Sequence, residues 1–304
     1  MDARRVGTLN RHVRRVVLAV AVVVVAACST TGTPSTASGE PSSIVSDEID
    51  GRYRRMVFDD VEVRADIVYD TETGMALDLR TPAGDDATGR PLIVWIHGGW
   101  FRGGNRDIPA AIAEDFTRMG YVTASISYRL DPDNLCESVI KGRVTPEEYP
   151  QAARNCSSAV DIAFVDAQRS IRWLREHADD YGIDPTRIAV AGLSAGGITA
   201  IHVGIMSTGP SDEVNAVVSI SGCAFRTDEI DAGDPPTLLI ASGFDPEIPF
   251  SCVDTTDDLL AEASTPVVRA YYPDEDLHAY FLLEAHRDVL QSAMVDFFTE
   301  HLDL

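Results

Sequence analysis

Short apolar runs alternate with segments of helical periodicity from about residue 55 to the end of the chain. The middle runs are continuously apolar, as in parallel strands covered on both faces. The segment Ser157–Tyr181 repeats apolar residues every three or four positions, which predicts a helix with one buried face. The pattern predicts eight strands: Met56–Tyr69, Met75–Arg80, Pro91–His97, Val122–Tyr128, Arg187–Ala191, Val214–Ser221, Thr237–Ala241 and Val267–Tyr272. Strands that alternate with helices favour an α/β fold, in which helices cover both faces of a mostly parallel sheet. The first two strands have no helix between them, so we expect an antiparallel edge.

A different pattern opens the chain. Val16–Ala27 is an unbroken apolar run after a cluster of arginines, and it is shorter than the ~20 residues that a membrane-spanning helix needs. Such a run is typical of the core of an export signal peptide. The run ends in Val-Ala-Ala-Cys, which resembles the bacterial lipobox. The resemblance implies lipidation of Cys28; the alternative is an ordinary signal peptide with a chance cysteine.

Serine, threonine, glycine and proline dominate the residues that follow, and such a stretch buries too little apolar surface to fold. We therefore predict a lipoprotein signal peptide at 1–27, a flexible tether at 28–50 and a folded domain at 51–304. The tether would hold that domain near the outer face of the cell membrane, anchored through Cys28.

The composition narrows the possible partners. Hydrophobic residues make up 45% of the chain, which is typical of a globular protein. Acidic residues outnumber basic ones by 48 to 25, and the formal net charge is −23. A surface this acidic repels phosphate backbones, so we expect no nucleic-acid partner.

Four cysteines remain when Cys28 is set aside. An even number in an exported protein suggests disulfides, and three pairings are possible. We favour Cys136–Cys156, which would pin a loop, and Cys223–Cys252, which would tie the ends of two neighbouring strands. Four free thiols are the alternative. The sequence contains none of the common zinc-binding spacings, so we expect no metal.

The predicted strand that ends near Ala191 runs directly into Gly192-Leu193-Ser194-Ala195-Gly196, and a helical pattern follows. This G-x-S-x-G context is the nucleophile elbow, a strained turn that lifts a serine oxygen clear of the backbone. Side chains two residues before or after the serine would collide there, which explains Gly192 and Gly196. The alternative interpretation is a glycine-rich turn with an idle serine.

A second motif, His97-Gly98-Gly99-Trp100, follows another predicted strand. Together the two motifs resemble those of α/β-hydrolase esterases. The closest resemblance is to hormone-sensitive-lipase-like carboxylesterases, the bacterial feruloyl-esterase-like group and kynurenine formamidases with their H-G-G-x-W motif. The resemblance implies an eight-stranded α/β-hydrolase fold and an acyl-enzyme mechanism without a cofactor.

By this resemblance the oxyanion hole lies at Gly98, Gly99, Trp100 and Ala195, with the amides of the last three as donors. Preorganised backbone amides lower the barrier to acyl transfer, typically by ~3 kcal/mol for each donor. Trp100 stands where many relatives carry a third glycine. Its amide can still donate, but its side chain must turn away or wall the acyl pocket.

The family's order of catalytic residues is serine, then an acid, then histidine. Asp245 lies in the loop after the strand Thr237–Ala241 and is the expected acid, with Glu247 as the alternative. Of the three histidines after Asp245, His286 lies within the predicted last helix, Leu282–Phe298, and His301 lies near its end. His278 lies in a loop just after the last predicted strand, which matches the family's position for the base. Histidine suits this role because its pKa lies near neutrality.

The lengths of the segments around these motifs indicate what covers the pocket. Gly222–Pro236 is too short to form a lid, and the segment that precedes the domain is the predicted tether, so we expect neither lid nor cap domain. The insertion at 131–156 leaves the carboxyl end of a strand, where α/β sheets bind ligands. We expect it to wall the pocket; the alternative is a surface excursion.

The sequence therefore predicts an exported serine hydrolase that cleaves carboxylic esters, with Ser194, His278 and Asp245 as its triad. Its expected partners are a small ester substrate and, through Cys28, a membrane. The same machinery could serve an amidase or peptidase of the formamidase type. A non-catalytic binding protein on the same fold is a further alternative, although such proteins usually lose a triad residue.

Overall fold

An eight-stranded sheet runs through residues 51–304, the part of the chain that the computed structural model describes. The predicted signal peptide, the tether at 28–50 and Cys28 lie outside the described residues. The strands are β1 Val61–Asp70, β2 Met75–Pro82, β3 Arg90–Ile96, β4 Val122–Ile126, β5 Ile183–Leu193, β6 Ala216–Ile220, β7 Thr237–Ser242 and β8 Val267–Tyr272.

The strands lie in the order β1-β2-β4-β3-β5-β6-β7-β8. Strand β2 pairs antiparallel with β1 and with β4, whereas the strands from β4 to β8 are parallel to one another. The predicted mostly parallel sheet with an antiparallel edge is confirmed. Chain order reverses between β3 and β5, so their carboxyl ends border the crevice where such sheets bind ligands.

Helices cover both faces of the sheet, as predicted. Alternate residues of a strand point to opposite faces. Thus Val94 packs in the cluster that contains residues of α3, α5 and α6, while Trp95 packs in the cluster with α1 and α8. The helices are α1 Ala110–Arg118, α2 Cys136–Ile140, α3 Tyr149–Glu176, α4 Ala178–Tyr181, α5 Ala195–Ile205, α6 Phe250–Glu262, α7 Tyr280–Ala285 and α8 Arg287–His301.

The boundaries of two helical regions differ from the sequence prediction. Helix α3 begins at Tyr149, eight residues before the predicted start at Ser157, and Pro150 fits its first turn because no N–H is required there. The predicted final helix over 282–298 is two helices, since His286 has non-helical backbone angles of φ −121° and ψ 27°.

The first strand is shorter than predicted. Strand β1 begins at Val61 rather than Met56. The amides of Val57 and Phe58 donate instead to the carbonyl of Arg118, at 2.9 and 3.0 Å, so this segment is tied to the end of α1. Strand β5, in contrast, begins at Ile183, four residues before the predicted start.

Two disulfides cross-link segments that connect the strands of the sheet. Cys136–Cys156 joins α2 to α3, and Cys223–Cys252 joins the loop after β6 to the first turn of α6. These are the pairs that the sequence analysis favoured. The second pair links a loop to a helix, not two strand ends. Among residues 51–304, no helix is long and apolar enough to cross a membrane.

Candidate active site

Ser194 lies on a strained turn between β5 and α5. Its backbone angles of φ 56° and ψ −119° are unusual for a residue with a side chain. A Cβ atom on Gly192 would lie 2.1 Å from the carbonyl oxygen of Gly196, and one on Gly196 would lie 2.1 Å from that of Ile96. Both glycines are therefore required by the close approach of three backbone segments, as the motif predicts.

Three side chains from different strand ends form a continuous hydrogen-bonded series. Ser194 Oγ lies 2.8 Å from Nε2 of His278 and can donate its proton there. His278 Nδ1 lies 2.9 and 2.8 Å from the two carboxylate oxygens of Asp245 and donates to them. This is the geometry of a nucleophile, a base and an acid that orients the base.

Asp245 is almost fully buried and is held in its charged form. Its side chain is 2% exposed, and Oδ1 accepts hydrogen bonds from the amides of Glu247 and Ile248 at 2.8 and 3.0 Å. Burial raises the pKa of Asp245, but the hydrogen bond and charge of His278 and the two amides outweigh it, so the pKa is lowered overall. A carboxylate that stays ionised can hold one tautomer of His278 and stabilise its charged form.

Glu247, the alternative acid, faces a different group. Its carboxylate accepts a hydrogen bond from the indole Nε1 of Trp100 at 3.1 Å and pairs with Lys141 Nζ at 2.6 Å. The carboxylate that contacts His278 is that of Asp245. Glu247 reaches the series only through its backbone amide.

The segment 97–104 after β3, the proposed oxyanion loop, turns through three consecutive left-handed residues, Gly99, Trp100 and Phe101, with φ of 123°, 57° and 60°. A Cβ on Gly98 would lie 2.8 Å from the carbonyl oxygen of Leu193, so this loop packs directly on the elbow. Among the described residues, no hydrogen-bond partner takes the amides of Gly99 or Trp100.

The amide of Ala195 begins α5 and cannot bond within its own helix. Together with those of Gly99 and Trp100, it makes three amides of the loop and the elbow that have no hydrogen-bond partner among residues 51–304. His97 serves its loop rather than the proton transfer: its Nδ1 donates to the carbonyl of Gly98 at 2.8 Å, and its ring stacks on Tyr128.

A cavity of about 580 Å³ opens beside Ser194 and His278. Its wall includes apolar side chains such as Leu277 and Phe281, and the insertion contributes Glu137. Hydrogen bonds from Arg143 and Arg102 lower the pKa of Glu137 to about 2, so this wall residue stays ionised. The cavity can therefore hold an uncharged apolar group beside a charged rim.

Several supporting residues were missed by sequence reasoning. Ser221 Oγ accepts the amide of Ala279 at 2.9 Å, which fixes the residue after His278 in a strained backbone with φ 44°. Asn134 of the insertion donates to the carbonyl of Trp100 at 2.9 Å. No local motif marks these contacts, because each depends on distant segments. Within 51–304, no cluster of three or more His, Cys, Asp or Glu side chains could hold a metal ion.

One family model covers both motif regions. The family model BD-FAE matches residues 77–141 and 154–224, which include the oxyanion loop and Ser194. Secreted lipase 5 of Gibberella zeae is 25% identical over 154 residues, which cover 50% of this chain and 26% of the relative. Esterase LipC of Mycobacterium tuberculosis is 24% identical over 229 residues, which cover 72% of this chain and 49% of the relative.

The structural comparison decides the fold. Thermogutta terrifontis esterase 2, solved in a form phosphonylated by sarin, matches with a TM-score of 0.61 at 19% identity, over 80% of this chain and 95% of that chain. The chain has the α/β-hydrolase fold. The chain spans about a quarter of the length of the first curated relatives that it matches.

The elbow contact generates a direct prediction. Gly196→Ala places a Cβ 2.1 Å from the Ile96 carbonyl oxygen, so the loop and elbow must separate. A misplacement of 1 Å can cost ~10² in rate, so kcat/KM for a simple ester should fall by about that factor. The matched control is Gly103→Ala, whose Cβ would meet its nearest atom at 4.0 Å and which should keep most of its activity. Equal losses in both variants would contradict the role given to the contact.

Proposed function

We propose that this α/β-hydrolase is a serine hydrolase of carboxylic esters, as its kinship with esterases and lipases indicates. One observation carries the proposal: the series Ser194–His278–Asp245 is hydrogen-bonded throughout and opens on a cavity lined by the oxyanion loop. A structural serine would need neither a buried acid behind its histidine nor unpartnered amides beside it.

The geometry supports a two-step reaction. Ser194 Oγ attacks the ester carbonyl carbon while His278 Nε2 takes its proton, and the carbonyl oxygen becomes an oxyanion held by backbone amides. His278 then gives that proton to the alcohol oxygen as the C–O bond breaks, leaving an acyl group on Ser194. Water attacks the acyl-enzyme by the same proton route and releases the acid. Asp245 keeps His278 in the required tautomer and stabilises its transient charge.

The cavity supports small substrates. Its volume is about 580 Å³ and Trp100 forms part of its wall, which leaves room for a short acyl chain or a small alcohol. The connection 222–236, where a lid could lie, contains only the 3-10 turn Thr227–Glu229 among its residues. We therefore propose short-acyl esters rather than long triglycerides as substrates.

The proposed location is outside the cytoplasm. Two disulfides in the domain favour an oxidising compartment, since cytosolic proteins rarely keep them. An apolar run before Cys28 and a lipobox-like motif support lipid anchoring of the exported protein.

The first test concerns the nucleophile. Ser194→Ala removes the attacking oxygen, so kcat/KM for a short ester should fall by at least ~10³. Matched ester and anilide substrates measured on the parent protein separate an esterase from an amidase. A Ser194→Ala protein that keeps parental activity would contradict the proposal, and a preference for the anilide would shift it to an amidase.

Substrate length is the second test. Within residues 51–304 the connection 222–236 is too short to form a lid, so we expect no closed state that a lipid interface would open. Rates should therefore be higher on acetyl and butyryl esters than on long-chain triglycerides, with no jump when the substrate passes its solubility limit. A sharp rise in rate at that limit would show that an interface activates the protein.

The anchor is tested by cell fractionation. The wild-type chain should sediment with membranes, and Cys28→Ala should be released or remain unprocessed. Cys223→Ser, which leaves the lipobox intact, is the matched cysteine control and should stay with the membrane. Wild-type protein found only in the soluble fraction would contradict the lipobox interpretation.

A further inference from the structure

Glu247 touches both halves of the proposed catalytic machinery. Its backbone amide donates to Asp245 Oδ1 at 2.8 Å, while its side chain accepts the indole N–H of Trp100 at 3.1 Å. Trp100 belongs to the oxyanion loop and Asp245 to the acid loop after β7. One residue thus connects the loop that would hold the oxyanion with the loop that orients the base.

The backbone conformation of Trp100 needs support from its surroundings. It holds a left-handed backbone with φ 57°, a conformation that side-chain-bearing residues adopt only when their surroundings enforce it. Its own amide is one of the proposed oxyanion donors, so a rotation of this residue moves a donor away from the reacting oxygen. Because the indole belongs to the same residue, a contact that holds the indole in place also limits that rotation.

Lys141 completes the contact from the insertion. Its Nζ lies 2.6 Å from Glu247, 3.5 Å from Glu137 and 5.7 Å from the centre of the Trp100 ring. It is the single lysine of the sequence. The insertion that carries it is tied down by the disulfide of Cys136, directly at the start of α2.

The ion pair of Glu247 and Lys141 is more buried than an ordinary surface ion pair. The Glu247 and Lys141 side chains are 31% and 23% exposed, so each is largely withdrawn from water. Lys141 compensates the charge of Glu247 beside an aromatic ring, and this keeps the carboxylate in place to accept the indole N–H. An exposed ion pair alone would contribute little.

We infer that Glu247 is a positioning residue: held by Lys141, its carboxylate fixes the indole of Trp100 and thereby aims the Trp100 amide at the oxyanion. Lys141, Glu247 and Trp100 are called the oxyanion brace below. The inference rests on the proposed function, because it assigns the brace to the reaction at Ser194.

A double-mutant cycle on the full chain tests the coupling. Glu247→Ala and Trp100→Phe each remove one partner of the indole hydrogen bond and keep every backbone amide. Each should lower kcat for a short ester about 10-fold or more, with KM changed less than about threefold, because the lost interaction acts mainly in the transition state. The double variant should be no slower than the slower single variant. Fully multiplicative losses would overturn the inference.

Conservative variants distinguish a positioning role of Glu247 and Lys141 from a general disturbance of the fold. Glu247→Gln keeps an oxygen that can accept the indole N–H, and Lys141→Arg keeps the charge, so both should retain most of kcat. Lys141→Met should lose kcat in the same direction as Glu247→Ala. The control is Glu300→Ala, an exposed glutamate on α8. Equal losses in Glu247→Gln and Glu247→Ala would overturn the hydrogen-bond role.

The pH profile decides which loop Glu247 serves. If it acts through Trp100, the acidic limb of kcat/KM should stay in place in Glu247→Ala while the plateau falls. A shifted limb would mean that Glu247 acts on Asp245 and His278, which would overturn the inference. Thermal unfolding of each variant, compared with Glu300→Ala, verifies that the fall in kcat is measured on folded protein.

The failure of this inference can be distinguished from failure of the proposed function. If Ser194→Ala abolishes ester hydrolysis but Glu247→Ala keeps kcat within about twofold of the parent protein, only the brace is wrong. If Ser194→Ala retains hydrolysis, the proposed function fails, and the brace fails with it.

Discussion

Ser194 holds its backbone in a left-handed turn, and that turn exists because three backbone segments meet with no room for a Cβ atom. Gly196 lies against the carbonyl of Ile96, and Gly192 lies against Gly196. This close approach of the three backbone segments has two consequences. It lifts the serine oxygen out of the sheet, and it presses the oxyanion loop against the start of α5. The proposed nucleophile and the proposed oxyanion donors are thus fixed relative to each other by backbone contacts.

The sheet topology supplies the rest of the arrangement. Strands β3 and β5 are parallel neighbours although β4 and a long insertion separate them in sequence, so the two motif loops lie at the same edge of the sheet and border the crevice. Strands β7 and β8 continue the parallel order and end in the loops of Asp245 and His278. A parallel sheet therefore gathers four distant segments at one edge. Ser194, Asp245 and His278, the proposed triad, lie outside the helices, which cover the sheet.

Much of this arrangement could be predicted from the sequence, because its determinants are local or ordered along the chain. Apolar runs marked the strands, and two glycines around Ser194 marked the elbow. Order along the chain pointed to Asp245 and His278. The break between α7 and α8 at His286 could not be predicted, because the apolar pattern continues across it.

The side chains that support the site were not predictable in the same way. The sequence indicates Glu247 only as an alternative acid. Its contact with Trp100 joins residues 147 positions apart, and no local pattern predicts such a contact. Lys141 and Asn134 reach the oxyanion loop only because the insertion folds back over it. Nothing in the local sequence of the insertion specifies that path. The early start of α3 could not be predicted for a related reason: Pro150 lies in its first turn, and prolines are also typical of loops.

Covalent labelling tests the central claim, that Ser194 is an activated nucleophile, most directly. The full chain is treated with a fluorophosphonate, digested, and its modified peptides are located by mass spectrometry. The account predicts one modified residue, Ser194, with labelling strongly slowed in His278→Ala because the base is gone. Labelling at another residue, or unchanged labelling in a Ser194→Ala protein, would contradict it.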